Sequence, residues 1–310
     1  MSFGNALTLK QMRSLIAVAE TRSLTAAAAA LNQTTPAIHS QIRKLEDTVG
    51  RALLERATDG NGFTLTVAGE VMVRTARRME ATLSQAHAQI AALTRGLQGH
   101  VTLSVVSTAR YFAPRLVRLL RDSCPEIEVS LRVGNRTQVI SDLDTGIAEL
   151  AVMGRPPRMP LVEADPLGPH PHGVILPPDH PLAGRDGFDA AELLDNVFLS
   201  REEGSGTRIL MQRFLDRLAE GQAPDFIAMD SNETIKQAVI AGLGVAFLSL
   251  HTVQDELTSG RLVALRGPKL PVMRQWYLVR PRSTLDSAAV NRLASAILAL
   301  GGQYFPGAAR

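Results

Sequence analysis

The sequence predicts a mixed α and α/β protein: a helix-turn-helix with a wing at the N-terminus, one long helix, and an α/β region over the remaining two thirds. Three observations predict it. Residues 25–50 read as two short helices joined by a tight polar turn, the first of them almost all alanine. Apolar side chains then recur at alternating spacings of 4 and 3 from Met72 to Leu97. From Val101 onward, short β-branched or apolar runs alternate with helical stretches.

The first helix is expected from Thr8 to about Glu20, with Met12, Leu15, Ile16 and Ala19 forming its apolar stripe. Ser23 suits the N-cap of a second helix ending near Leu31, whose small side chains let another helix pack close. Thr34 or Thr35 caps a third, with Pro36 at an early position where its missing N–H costs little, and Gly50 as the stop. On this third helix Ile38, Ile42, Leu45 and Val49 face inward, which leaves Thr35, Pro36, His39, Ser40 and Arg43 outward.

That layout is the one that places a second helix in the major groove of double-stranded DNA, with its N-terminal residues nearest the base edges. Hydroxyl, imidazole and guanidinium groups all bond bases or phosphates. Thr35, Pro36, His39, Ser40 and Arg43 are therefore the candidate groove readers and Thr34 a phosphate contact. The competing reading is an ordinary core helix with a solvated face. Residues 53–56 and 63–66 flank the turn-rich Thr58-Asp59-Gly60-Asn61-Gly62 and read as a two-stranded wing. Arg56 on it is either a phosphate contact or a surface charge.

From Val67 to about Leu97 the chain reads as one helix of roughly 45 Å at about 1.5 Å per residue. Met72, Ala76, Met79, Leu83, Ala86, Ile90, Leu93 and Leu97 make an a/d seam. A second copy of the chain would cover that seam, so a dimer is expected; a single helix lying on its own domain is the alternative.

The α/β region is read as strands at 101–106, 127–133, 150–153, 173–176, 197–199 and 245–249, with helices between them. A late strand at 274–279 and a closing helix at 288–300 follow, and the alternation argues largely parallel sheets. Five polar loops lie where strands end or helices begin: 107–110, 134–138, 154–158, 200–208 and 231–234. Ligands bind beyond the carboxyl ends of strands in such sheets, and helix N-termini flanked by arginines suit anions. Ser107, Thr108, Arg110, Arg136, Gln138, Arg155, Thr207, Arg208 and Asn232 are the candidate ligand contacts. Hydroxyls at helix starts also serve as plain caps; five such loops in one region favour a cleft.

Composition narrows the class. Residues 1–98 carry 11 Lys and Arg against 7 Asp and Glu, the remainder 22 against 23, so the positive balance sits with the helix-turn-helix. That excess also fits a solvated surface. The single cysteine, Cys124, excludes an internal disulfide and fits a reducing compartment. No secretory signal is read in the first 20 residues, and the near-apolar run 239–250 is too short to span a bilayer. Gly204-Ser205-Gly206 lacks the lysine of a P-loop, and His170, His172 and His180 have no matched carboxylate or cysteine set. No metal, cofactor or catalytic constellation is expected. A free-standing solute-binding protein would account for the α/β region but not for the N-terminal third.

Taken in order, the Ala-rich helix, Thr35-Pro36-Ala37-Ile38, Leu45-Glu46-Asp47-Thr48-Val49-Gly50, Leu53-Leu54-Glu55-Arg56 and Leu65-Thr66-Val67-Ala68-Gly69-Glu70 resemble the LysR-type transcriptional regulators. The chain has Thr34-Thr35-Pro36 where that family commonly has Ser-Gln-Pro, and His39 where it often has serine. The strings 105–114, 133–136, 153–157, 177–183, 201–208, 231–239 and 247–252 look like its CbbR branch, which regulates RuBisCO and Calvin-cycle operons. Arg110 stands where that branch often has lysine.

The resemblance implies three parts: a winged helix-turn-helix over 1–66, a linker and dimerisation helix over 67–98, and a two-lobed effector domain over 99–310, similar to periplasmic solute-binding proteins. Lobe 1 would span about 99–168 and 270–310, lobe 2 about 169–269. It further implies a cytoplasmic dimer or tetramer on promoter DNA, contact with RNA polymerase, and an effector that is a phosphorylated sugar, phosphoenolpyruvate, ATP or NADPH.

Overall fold

The computed structural model describes residues 7–57, 62–95, 97–218, 224–284 and 287–307. It divides into two compact units, Met1–His87 with Thr145–Ile147, and Ala88–Asp144 with Ala148–Arg310.

In the first unit, helices α1 (Leu9–Thr21), α2 (Leu24–Ala30) and α3 (Thr35–Val49) each begin on a hydroxyl cap. Thr8 accepts the Gln11 N–H while the Gln11 side chain accepts the Thr8 N–H, a reciprocal pair that satisfies two otherwise orphaned donors. Ser23 and Thr34 accept the N–H groups of Ala26 and Ala37, so Thr34 rather than Thr35 is the cap of α3. Gly50 closes α3 at φ 71°, in the left-handed region that glycine enters without steric cost. Ile38, Ile42 and Leu45 of α3 pack on Met12, Leu15 and Val18 of α1, and on Ala27 and Ala28 of α2.

Strands β1 (Leu54–Arg56) and β2 (Phe63–Leu65) form the antiparallel wing. The Glu46 carboxylate at the end of α3 accepts the Leu53 and Leu54 N–H groups at 2.8 and 3.2 Å and fixes where β1 starts. Of the turn between the strands, 58–61 fall outside the described residues. Helix α4 (Val67–Thr94) follows. A Cβ on Gly69 in its first turn would stand 2.1 Å from the Leu53 carbonyl oxygen, so only glycine allows the helix this close to the wing.

The expected seam along α4 divides in two. Met72 and Ala76 are buried in the core of their own unit, together with Val73, and are not free for a partner. Met79, Leu83, Ile90 and Leu93 are exposed at 40, 47, 64 and 64%.

The second unit runs β3 (Gly99–Val106), α5 (Ala113–Ser123), β4 (Ile127–Gly134), α6 (Arg136–Thr145), β5 (Leu150–Met153), β6 (Val162–Leu176), α7 (Ala190–Leu194), β7 (Phe198–Arg201) and α8 (Gly206–Asp216). It continues with β8 (Phe226–Met229), α9 (Asn232–Ile240), β9 (Val245–Ser249), α10 (Gln254–Thr258), β10 (Val263–Ala264), β11 (Val272–Pro281) and α11 (Ala288–Ala299). The strands lie in the order β4-β3-β5-β11-β6-β9-β7-β8, with β10 also on β6.

Parallel pairing is confined to the two ends, β4-β3-β5 and β9-β7-β8. Between them β5–β11, β11–β6 and β6–β9 are antiparallel, which corrects the expectation of largely parallel sheets. The reason is connectivity. The chain passes between the lobes along two long strands rather than through crossover helices, and strands joined that way run head to tail. Helices cover the faces of the parallel triplets: α5 and α11 pack around Trp276, Tyr304 and Phe305 in one lobe, while α8 and α9 pack on opposite faces in the other. Among the described residues no helix is long and apolar enough to cross a membrane.

Candidate functional site

Helix α3 presents a polar face. Thr34, Pro36, His39, Ser40 and Arg43 are exposed and Thr35 is half-buried. The Thr34 hydroxyl is engaged by the Ala37 N–H at 3.4 Å, while the side chains of His39, Ser40 and Arg43 bond to no other described residue. Such a face, set on a rigid three-helix core at the N-terminal end of a helix, has the form that reads a major groove. On the wing, Arg56 is exposed opposite Phe63, its guanidinium carbon 5.8 Å from the ring centroid. The contact steadies the arginine and leaves its donors outward.

The second unit contains a cleft whose empty space, open solvent at its mouth included, is about 710 Å³. Strand β3 delivers Ser107 and Thr108, the start of α6 delivers Arg136, the end of β5 Gly154 and Arg155, and the start of α8 Thr207. The predicted contacts Ser107, Thr108, Arg136, Arg155 and Thr207 are thus brought together at strand carboxyl ends, where open α/β sheets bind ligands.

Four arginines, Arg136, Arg155, Arg213 and Arg274, line the cleft, and among the described residues no carboxylate does. The Arg136 guanidinium is aimed at the carbonyl oxygens of Arg155 and Pro156 rather than at an acid. Burial, and next the neighbouring Arg155 charge, lower its pKa from the ordinary arginine value. An anion in the cleft relieves both penalties.

The other predicted contacts lie elsewhere. Gln138 donates to Asp142 at 2.8 Å and borders a separate shallow hollow beside Asn135 and Gly204. Arg110 is exposed, next to Tyr111 and Glu233. Arg208 reaches the Arg201 carbonyl at 3.4 Å, and Asn232 accepts a hydrogen bond from the Arg201 guanidinium. None of these four lines the arginine cleft.

Arg201 itself is 3% exposed and grips Glu202 at 2.7 and 2.9 Å. Its Nη1 also donates to the Ser107 hydroxyl at 3.1 Å, so it ties the end of β7 to a cleft residue from the other lobe.

Sequence reading missed Arg213, Arg274, His170 and His172 in the lining. Arg213 lies in the last turn of α8, and the rest lie on the two connecting strands. His170 and Arg274 are register partners across β6 and β11. His170 stacks on Trp276 with centroids 3.6 Å apart and lies 4.0 Å from His172. Burial, with smaller repulsion from neighbouring rings and Arg274, holds His170 well below the usual histidine range. Burial likewise lowers His172 to about 4. Both are neutral near pH 7. Among the described residues no group of three or more His, Cys, Asp or Glu side chains is arranged to hold a metal ion.

Comparison with known proteins agrees with this geometry. Residues 9–70 match the bacterial regulatory helix-turn-helix protein, LysR family, and residues 94–301 match the LysR substrate binding domain. The HTH-type transcriptional regulator CbbR of Cereibacter sphaeroides is 56% identical over 304 residues, 98% of each chain. The RuBisCO operon transcriptional regulator of Allochromatium vinosum is 39% identical over 293 residues, 94% of this chain and 96% of its own. Among solved structures, the regulatory domain of Synechocystis PCC6803 CcmR in complex with 2-PG is 33% identical, with a TM-score of 0.62. It covers 66% of this chain and 98% of its own. These relatives are regulators rather than enzymes. The chain belongs to the LysR family of helix-turn-helix transcriptional regulators, in its CbbR branch.

Proposed function

We propose that this regulator controls a carbon-fixation operon of the RuBisCO type, and that a small anionic metabolite in the arginine cleft sets its action on the promoter. The observation that carries the effector reading is a cleft with four arginines and, among the described residues, no acid in its lining. Arginine forks match phosphate and carboxylate oxygens, and an anion offsets both the partial burial of Arg136 and its repulsion by the neighbouring Arg155. The carbon-fixation assignment is supported by the names of the relatives, CbbR and RuBisCO operon regulator. That CcmR carries 2-PG favours a phosphorylated carboxylate as one effector class; phosphorylated sugars, phosphoenolpyruvate, ATP and NADPH are the others to be tried.

Thr35, Pro36, His39, Ser40 and Arg43 read base edges, with Thr34 and Arg56 on phosphates. The exposed half of α4 pairs with a second copy, and dimers associate into tetramers. A regulator of this kind works on the chromosome, in the cytoplasm.

The test is a gel shift of the full chain on a RuBisCO-operon promoter fragment, with and without each metabolite. One metabolite is expected to change affinity or mobility, and Arg136→Ala to lose that response while keeping DNA affinity. Failure to bind the promoter refutes the operon assignment; equal loss of both properties in the variant refutes a separate effector site.

A further inference from the structure

His170 is 3% exposed, yet only one of its ring nitrogens has a partner. Nε2 lies 3.0 Å from the Ser249 hydroxyl. Nδ1 is buried and bonds to nothing. Ser249 is fully buried, and among the described residues its hydroxyl has no bond other than this one. A hydroxyl must place its hydrogen somewhere, and Nε2 is the only acceptor offered, so Ser249 donates. The neutral ring then carries its own hydrogen on Nδ1, as a donor without an acceptor.

That donor lies beside Gly154. A Cβ at Gly154 would stand 3.0 Å from Nδ1, and both residues line the cleft. At Gly154 only a glycine hydrogen, and no side chain, therefore stands over the buried Nδ1 in the cleft lining. The ring cannot turn away freely, because it is stacked on Trp276 at 3.6 Å and wedged against His172 at 4.0 Å. A buried donor left unpaired is costly, whereas the same group in a preset orientation is a strong selector when a ligand oxygen completes it. Arg274, directly opposite on β11, adds positive charge on that wall of the cleft.

We propose that His170 is a specificity-determining residue for the effector: its Nδ1–H donates to an oxygen of the bound phosphorylated or carboxylated metabolite from the strand wall of the cleft. The inference rests on the reading of this cleft as the effector site. It distinguishes the residue from the arginines, which supply charge, by assigning it a single directional and uncharged contact.

The experiment is calorimetric titration of the full chain with 2-phosphoglycolate, D-ribulose 1,5-bisphosphate and ATP, for the parent protein and four variants. His170→Phe keeps an aromatic ring against Trp276 and removes both nitrogens. His170→Asn restores an N–H close to the Nδ1 position. Gly154→Ala leaves both histidines and covers Nδ1, and it serves alone if His170→Phe does not fold. Arg136→Ala reports on the cleft itself.

The metabolite that binds the parent is expected to bind His170→Phe and Gly154→Ala at least tenfold more weakly, with His170→Asn recovering much of the loss. Unchanged affinity in His170→Phe or Gly154→Ala overturns the role of Nδ1, as does a loss that His170→Asn fails to recover. If in either case Arg136→Ala still loses binding, the cleft reading stands without it. No binding to the parent, or binding untouched by Arg136→Ala, overturns the cleft reading and this inference with it.

Discussion

Three imidazoles, His170, His172 and His251, gather around Trp276 in the interior of the second unit, and burial is the leading cause of the lowered pKa of each. His172 and His251 fall to about 4 from 6.5. Because the folded values are depressed, the unfolded chain takes up protons first as pH falls. The contribution of these rings to stability is fully present above about pH 6.5 and is lost as pH drops toward about 4. Denaturant unfolding at pH 7, 6 and 5 is expected to show this decline, and His172→Phe, which keeps the packing on Phe247, to make it shallower. An equal slope in the variant would remove His172 from the account.

On α3, Arg43 is exposed and free of described partners. Its replacement by alanine is expected to weaken promoter binding by about 1–3 kcal/mol, roughly five- to 150-fold, with ligand affinity unchanged. Gel-shift titration checks it. At this scale the sequence revealed the residues at helix starts, such as Arg136 and Thr207, because polar groups there advertise free N–H donors. It hid His170, His172 and Arg274, which meet only through strand pairing distant in sequence.

Among the elements, α4 carries the clearest unfinished surface. Ile90 and Leu93 are each 64% exposed and Leu83 47%, on one helix whose seam residues Met72 and Ala76 are buried. Ile90→Glu is expected to shift sedimentation toward monomer at micromolar concentration, since a charge in an apolar seam must be desolvated for the helices to pair. Val71→Glu, exposed but off the seam, should leave the association state alone. The boundaries of α1, α3, β5 and β9 were legible because caps, glycines and β-branched runs punctuate them. Strand β6 was legible only over 173–176, since Pro166, Pro169 and Pro171 argue against a strand. Those prolines lie in the antiparallel ribbon with β11, whose register shifts at Trp276/Tyr277. Strand β8 was missed because its residues are mostly exposed and show no alternation.

For the molecule as a whole, the chain passes between the two lobes of the second unit along β6 and β11, and the cleft takes residues from both lobes and from those strands. A ligand that touches all of them binds the folded state and not the unfolded chain. Saturating it to about 100 times its dissociation constant is therefore expected to add about 2.7 kcal/mol to the stability of this unit. Differential scanning calorimetry with a binding metabolite should show that shift, and Arg136→Ala should abolish it; a melt indifferent to ligand would contradict the cleft assignment.

Trp276 is the single tryptophan of the chain, and it lies face to face with a cleft-lining ring. Intrinsic fluorescence therefore comes from one indole at one address. Any event that displaces His170, from occupancy of the cleft to acid titration of the imidazole, should register as a change in emission, which gives the protein an unlabelled optical readout of its own regulatory state.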